Sequence, residues 1–579
     1  MPSKISTQNL ENISFWILGF LFLFATHFHQ PHPGGYGLES SFNTFSWIPV
    51  SAFIGSTLLL LSVRGSIAYS PLLLSLSVCS LLLLVPAFYP QSQDPMIIGR
   101  LYGLVAGLLV FLGLQQLRLK ESRLIKLLAL VLAGVWIEAI MGWCQHLVLL
   151  PEGLFGFGVS DPRPLGIFKQ PNVMASFMAA GLVLSGFLIP FYNKTGCRTD
   201  SICAKACLLT PLLVVPIVSL LNSRVGWLGA SIGGLLIVPY LFTRAGTRAA
   251  TGWLLMILLG LLVGYLLLGQ TTGGFSTAIA KAESFGPRAE IYPMTLRLIL
   301  DNFFFGVGYG NFEPAFNLFA AELYADGIAV PVDPNLHHPH NEVLFWAAEG
   351  GILSLAALLF AAILVLMRVI RAKPGHSLAL VALFFPLVLH TQTEFPFHQS
   401  VAHWIFFILL IFVADFYSDD LKSKRFRPNL LIIVTAFLIP LGTAAFMIST
   451  LQAGAILWRY EYDPNAPPDS VLSIRNPMVW RERIMFDVLG RSMFMGLSQG
   501  DTSQVMPFID YVEESLNEHP RLSRYQDLIL AYQILGLDNE AARIRREAEF
   551  RYPAVEFQDL SEGQLVIQTI TATPEAERN

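Results

Sequence analysis

The sequence predicts an all-α polytopic membrane protein: about thirteen membrane-crossing helices, a large loop on one face and a helical C-terminal domain. Three observations predict it. The 579 residues are 54% hydrophobic and only 13% charged, against roughly a quarter charged in soluble domains. Apolar runs of roughly 20 residues, the length that carries a helix through hydrocarbon, recur along the chain. Lysine and arginine gather in every second connection between those runs.

The runs lie near 13–29, 46–63, 69–89, 97–115, 124–142, 171–193, 206–221, 225–242, 251–269, 342–367, 377–392, 401–417 and 430–450. The first follows a single lysine and lacks a small-residue cleavage site, so it reads as a retained span rather than a signal peptide. Alternate connections carry Arg64; Arg118, Lys120 and Arg123; Lys194, Arg198 and Lys205; then Arg244 and Arg248. The series continues with Arg368, Arg371 and Lys373, and with Lys422, Lys424, Arg425 and Arg427. Basic loops stay on the cytoplasmic side, so the N-terminus is expected inside and the other connections outside. An odd number of spans then leaves the tail outside.

Two outer segments are large. Residues 270–340 form a loop within the membrane region 1–450, and residues 451–579 form a more charged tail. In that tail "LAYQILGLDNEAARIRREAEFRYP" sets small residues at Ala531, Ala541 and Ala548 around a turn at Gly536, and closes on Pro553. That spacing predicts a tetratricopeptide-type helical hairpin. A net charge of −4 says nothing about nucleic acid, but no basic tract suggests it, so none is expected as a partner. The five cysteines (Cys79, Cys144, Cys197, Cys203 and Cys207) form no C-x-x-C pair, and neither a disulfide nor zinc is expected.

Scarce polar residues collect on the outer face. "DPRPLGIFKQPNVMAS" precedes the span at Pro171, and "NSRVGW" forms the tight turn before the next outside-to-inside span. "GPRAEIYPMTLRLILDNFFFGVGYGNF" lies in the large loop, "HHPHNE" ends it, and "HTQTEFPFHQS" is the following outer turn. Three spans point their N-termini, rich in unpaired N–H groups, at this face. With Arg224 and Arg288 they predict an anion site. The blander alternatives are a snorkelling Arg224 and a solvated Arg288. Lys169 is a third candidate cation, with Arg163, Gln170 and Asn172 as supporting polar groups.

His340 is the candidate acid–base group, because an imidazole titrates at about 6.5 and can take a proton from a hydroxyl. Asn341 and Glu342 follow it and are expected to hold the helix start and the ring. His337 and His338 read as a decorated loop end. The H-E-x-x-H spacing is absent, so no metal is expected. Glu394 and His398, four apart in the next outer turn, form a second proton-handling pair or a structural one. Glu349 falls on the face of Glu342 and inside the bilayer, where a carboxylate needs a partner; it reads as a structural ion-pair member. An anion pocket with a base, and no nucleotide or metal motif, suits a donor whose sugar is already activated on a pyrophosphate.

The stretches "RPLGIFKQPNVMASFM", "NSRVGWLGA", "RAEIYPMTLRLILDNFFFGVGYGNF", "HPHNEVLFWAAEGG" and "EFPFHQS" resemble the bacterial O-antigen ligase and polymerase superfamily. The PglL-type protein O-oligosaccharyltransferases within it are the nearest in pattern. The resemblance covers most of residues 1–450 and implies a GT-C-like fold without cofactor, in the bacterial inner membrane, with its working face and tail in the periplasm. It implies transfer of an oligosaccharide from undecaprenyl pyrophosphate to Ser or Thr of periplasmic proteins such as pilins. The family's essential histidine corresponds to His340 and its arginines to Arg224 and Arg288. Tyr292 departs from a common tryptophan, and Asn302–Phe303 from a proline-containing turn. An O-antigen ligase or polymerase would use the same donor site. A transporter would spread charge through the midplane, which this sequence does not do.

Overall fold

The computed structural model describes residues 6–151, 154, 163–192, 198–270, 286–328, 336–463 and 465–555. Lys194, Cys197, the opening Asp161–Pro162 of the first polar stretch, parts of the large loop and the last residues of the tail lie outside these.

All thirteen apolar runs fall on helices. They are α1 (Thr7–Leu23), α2 (Ser41–Arg64), α3 (Pro71–Leu84, extended by a 3-10 turn to Phe88), α4 (Gly99–Gln116) and α5 (Glu121–His146). Next come α6 (Pro171–Tyr192), α7 (Arg198–Leu221), α8 (Arg224–Arg244) and α9 (Thr247–Gln270). After the large loop, which holds α10 (Arg288–Asp301) and α11 (Phe312–Ala325), follow α12 (Glu342–Ile370), α13 (Ser377–Thr391), α14 (Val401–Ser418) and α15 (Leu430–Tyr462). Eleven of the thirteen are long and apolar enough to cross a membrane. The other two are α13, apolar but only 15 residues long, and α4, which carries Arg100 and ends on two glutamines.

The core of the bundle is α6. It has no charged residue, and the small residues Ala175, Ala179, Ala180, Gly181 and Gly186 let neighbours close on it from every side; its apolar window is wholly buried. Connections of each kind contact their own kind. Arg118 reaches Ser66 and Ser423, Arg244 donates to the carbonyl of Pro374 at 2.5 Å, and Arg368 pairs with Asp415 and Asp420. The antiparallel strands β1 (Ser66–Tyr69) and β2 (Lys422–Arg425) close that basic end. The polar clusters meet at the opposite end.

Two helices there are interrupted or clipped in ways that aim the site. Gly351, at φ 65°, breaks α12, and the backbone of the large loop crosses the break: Val307 N–H donates to Ala348 O at 2.9 Å and Gly308 N–H to Glu349 O at 3.0 Å. Gly166, at φ 61°, exchanges two hydrogen bonds with Gln145, and Ile167 N–H donates to Glu138 at 3.0 Å. A side chain at Gly166 would strike that carboxylate. The approach to α6 is therefore fastened to α5.

Beyond the membrane region, α15 runs on to Tyr462, past the expected boundary at 450, into four helices: α16 (Arg481–Ser498), α17 (Val505–Leu516), α18 (Leu522–Ile534) and α19 (Asp538–Arg551). Ala531, Ala541 and Ala548 are buried between α18 and α19, and Gly536 turns at φ 69°. This layer is clamped to α11. Glu313, held below its ordinary pKa despite burial by His519 and Arg521, bonds His519 at 2.8 Å, while Arg551 donates to Asn317 at 3.0 Å.

Candidate active site

Four helix N-termini and two turns converge on Glu394, which is 5% exposed. Its Oε1 accepts from Arg288 Nη2 at 2.8 Å and from Asn172 Nδ2 at 3.4 Å. Its Oε2 bonds His340 Nδ1 at 2.9 Å. An ionised carboxylate can only accept, so this contact calls for a proton on Nδ1, and a neutral ring held that way presents the lone pair of Nε2. The ring is about one-third exposed, so that nitrogen can meet an incoming group. The orienting carboxylate is thus Glu394, not Glu342. Glu342 instead lies in the field of Arg100 and beside Trp346.

His340 is held in the left-handed region at φ 52°, which costs a non-glycine residue energy and must be over-determined. Three groups hold it. Its N–H donates to His338 Nδ1 at 2.7 Å, its carbonyl accepts from Tyr292 Oη at 3.0 Å, and Asn341 caps α12 through Leu344 N–H at 3.0 Å. Tyr292 shares its one hydroxyl proton between the His340 carbonyl and Gln392 O, to which Asn341 Nδ2 also donates. Burial pushes the Tyr292 phenol up, keeping it a donor. Lys169 and Asn222 share the left-handed conformation, and each comes just before a helix that opens onto the site, as His340 does.

His338 is no loop decoration. It is 2% exposed, and its Nε2 lies 3.8 Å from Glu394. Burial, with His337 and His340 nearby, holds it well below its ordinary pKa, so it stays neutral and accepts the His340 N–H.

The arginines lie on two sides. Arg288 opens α10 and grips the Thr393 carbonyl through Nε at 3.1 Å and Nη2 at 2.9 Å. Arg224 is exposed at the start of α8, and its Nη2 would lie 3.4 Å from a Cβ at Gly286, two residues before Arg288. Asn172 links the two helices: it accepts from Ser223 Oγ at 2.6 Å, and Ser223 caps α8. Gln170 caps α6, accepting from Asn172 N–H at 2.5 Å and Val173 N–H at 3.0 Å.

The other expected residues stand further off. Lys169 is exposed, with Nζ 3.5 Å from His32; burial and that lysine lower His32 to about 3. Arg163 is half-buried at the head of the clipped stretch. His398 does not pair with Glu394. Its ring packs beside Tyr36 and Phe395 at 5.4 and 5.6 Å, and burial, Arg100 and His337 lower it to about 4. Tyr36, stacked on His337 at 4.9 Å, went unread, although "HFHQPHPGGYG" crowds histidine, proline and glycine into one connection of this face. The side chains of His338, His340 and Glu394 lie within metal-ligating distance of one another, at most 4.8 Å between ligand atoms. An ion held by His338 Nε2, His340 Nδ1 and Glu394 Oε2 would replace the proton that His340 shares with Glu394 and leave the bonds to Arg288 and to the His340 N–H in place.

A multi-pass membrane enzyme with a carboxylate-oriented histidine beside two arginines is the class that fold and site define. Residues 209–359 match the O-antigen ligase family, 164–189 the protein glycosylation ligase family and 378–563 the C-terminal part of the virulence factor membrane-bound polymerase family. No curated protein matches the chain. The chain is thus similar to the O-antigen ligase family over about a quarter of its length and, over a short stretch, to the protein glycosylation ligase family, and these matches support a glycosyl-transferring membrane enzyme.

Proposed function

We propose that the chain transfers an oligosaccharide from undecaprenyl pyrophosphate to Ser or Thr of a periplasmic protein such as a pilin. The observation that carries this is Glu394, which holds the base His340 and the cation Arg288 on its two oxygens. The acceptor hydroxyl gives its proton to His340 Nε2 while its oxygen attacks the anomeric carbon. The bond from that carbon to the pyrophosphate breaks, and the departing charge is taken by Arg288 and Arg224. Glu394 keeps the imidazole aligned and balances its charge once protonated. Lys169 steers the anion from the rim, and His398 shapes the wall without exchanging protons.

The basic connections lie in the cytoplasm in this reading, and the site and the 451–579 layer face the periplasm of the inner membrane. No metal takes part, so EDTA leaves the rate unchanged. The match to the protein glycosylation ligase family over 164–189 favours a protein acceptor. The O-antigen ligase match favours a second reading, ligation to a glycolipid at the same donor site. Co-expression with a lipid-linked glycan pathway and candidate pilins, followed by mass spectrometry of glycopeptides, decides between them. Glycan found only on lipid would overturn the protein acceptor.

A further inference from the structure

An apolar strip climbs the outside of the molecule towards Arg288. On α3 and its extension, Leu81, Val85 and Phe88 are between 43% and 79% exposed, at the spacing of a lipid-facing stripe. At the top, Tyr89 meets Phe305 edge-on at 5.3 Å. Phe303, Phe304 and Phe305 follow one another with 39%, 69% and 60% of their surface uncovered. The α3 residues face hydrocarbon as those of other spans do; the three exposed phenylalanines lie beyond the end of the span, and it is they that mark an interaction surface.

The patch is not a slack loop. Ile352 N–H donates to Phe303 O at 2.8 Å, and together with the bonds from Val307 and Gly308 it rivets the tip to the break in α12. The strip then continues along α10. Ile291, Met294 and Leu298 bury one face of that helix. Its exposed side is divided, with Leu296 and Leu300 one turn apart on one edge and Arg297 and Asp301 one turn apart on the other. A helix divided in this way lies at an apolar–aqueous boundary. Its 14 residues span roughly 20 Å from the phenylalanine tip to Arg288.

We propose that this strip is the docking track for the polyprenyl chain of the donor. Leu296 lies along the isoprene units nearer the pyrophosphate, Leu300, Phe304 and Phe305 hold those roughly 20 Å away from it, beyond the reach of a short isoprenyl chain, and α3 leads the rest into the bilayer. This rests on the lipid-pyrophosphate donor proposed above. A polyprenyl chain fits better than bulk acyl chains because the track ends at the cation that would hold its polar head.

The test uses the full chain in lipid nanodiscs and one glycan on two donors, a long polyprenyl pyrophosphate and a short isoprenyl pyrophosphate. For the double variant Phe304→Ser, Phe305→Ser we expect KM for the long donor to rise about ten-fold or more, with kcat kept and the short donor unaffected. Equal losses on both donors, or no loss, would overturn the track. Should that variant fold poorly, p-benzoylphenylalanine at position 304 provides the second measurement. It should crosslink the long donor, and polyprenyl pyrophosphate should compete where excess phospholipid does not. Crosslinking to phospholipid alone means an ordinary lipid-facing surface and sinks the proposal. A wild-type chain that uses neither donor, while the position-304 variant still crosslinks the long one, would defeat the proposed function, not the track.

Discussion

Glu394 and Glu349 are both buried and both paired with an arginine, one beside the start of α12 and one within it, yet their surroundings suit them to opposite tasks. Glu349 is locked. Arg100 bonds it, Gly310 and Phe312 donate their N–H groups at 3.1 and 3.0 Å, and the guanidinium lies between Tyr309, Phe345 and Trp346 at about 4.4 Å from each ring. Glu394 has no such cage. Its partners Arg288 and His340 are one-quarter and one-third exposed, and both carry further bonding capacity outward. An ion pair enclosed on all sides can only hold structure. One that leaves each partner an open edge can hold a reaction.

The largest effect should separate the two at once. His340→Ala removes the acid–base group and should cut transfer by roughly 10²–10⁴-fold while thermal unfolding stays at the wild-type temperature. If glycopeptide yield per folded molecule survived that change, the contrast would collapse. The mirror experiment is Glu349→Gln, which strands Arg100 in its aromatic cage. Breaking a buried pair from one side costs about 3–5 kcal/mol, so unfolding in detergent should shift strongly, with transfer falling only as folded protein is lost. A Glu349→Gln enzyme of normal stability and no activity would move Glu349 into the chemistry.

How legible this was depends on which forces acted. Hydrocarbon imposes length and polarity, so all thirteen runs were readable. The burial of Glu349 followed from helical periodicity alone, but its partner lies 249 residues away, and no local rule points to it. Glu394 as the hub was hidden for the same reason: its bonds reach back to Asn172, Arg288 and His340. Glu342 looked the better partner for His340 because it is close in sequence. On a helix start, however, a residue two positions on faces another side. His338 seemed loose because its burial is created by Phe395, from a different turn.

His338 sharpens the comparison at intermediate size. It touches no reacting atom but fixes the backbone of His340, so it is a positioning residue. His338→Ala should lower kcat by about ten- to a hundred-fold with KM little changed, since the arginines remain. The neutral ring also leaves a signature in pH. Its folded pKa is depressed, so it contributes stability that is complete above the ordinary histidine value and declines as pH falls below about 6.5. His338→Asn, which keeps an acceptor, should restore part of kcat and flatten the acid-side slope in unfolding temperature only in part, because His32 and His398 are depressed in the same direction. A variant with wild-type kcat would return His338 to the role of loop filler.

The smallest effect tests a third carboxylate, where the cation has gone to a neighbour. Asp487 on α16 lies beside Glu461 at the end of α15, but Arg483 is committed to Glu461 through two bonds of 2.7 and 2.9 Å. The Asp487 Oδ2 atom is buried with no hydrogen-bond partner among the described residues. Burial first, and then Glu461, raise Asp487 to about 7. Because the folded value lies above the unfolded one, its contribution is complete below about 4 and is lost as pH rises through 7. Asp527 on α18 is raised to about 7 by burial and acts with the same sign, so one substitution should flatten the curve only in part. Asp487→Asn should therefore melt later than wild type at pH 8 and only about a third as much later at pH 5, with transfer unchanged at both. An equal shift at the two pH values would mean that the asparagine merely packs better. Glu394 and Glu349 would then remain the only informative contrast, because the third carboxylate would carry no charge penalty to relieve.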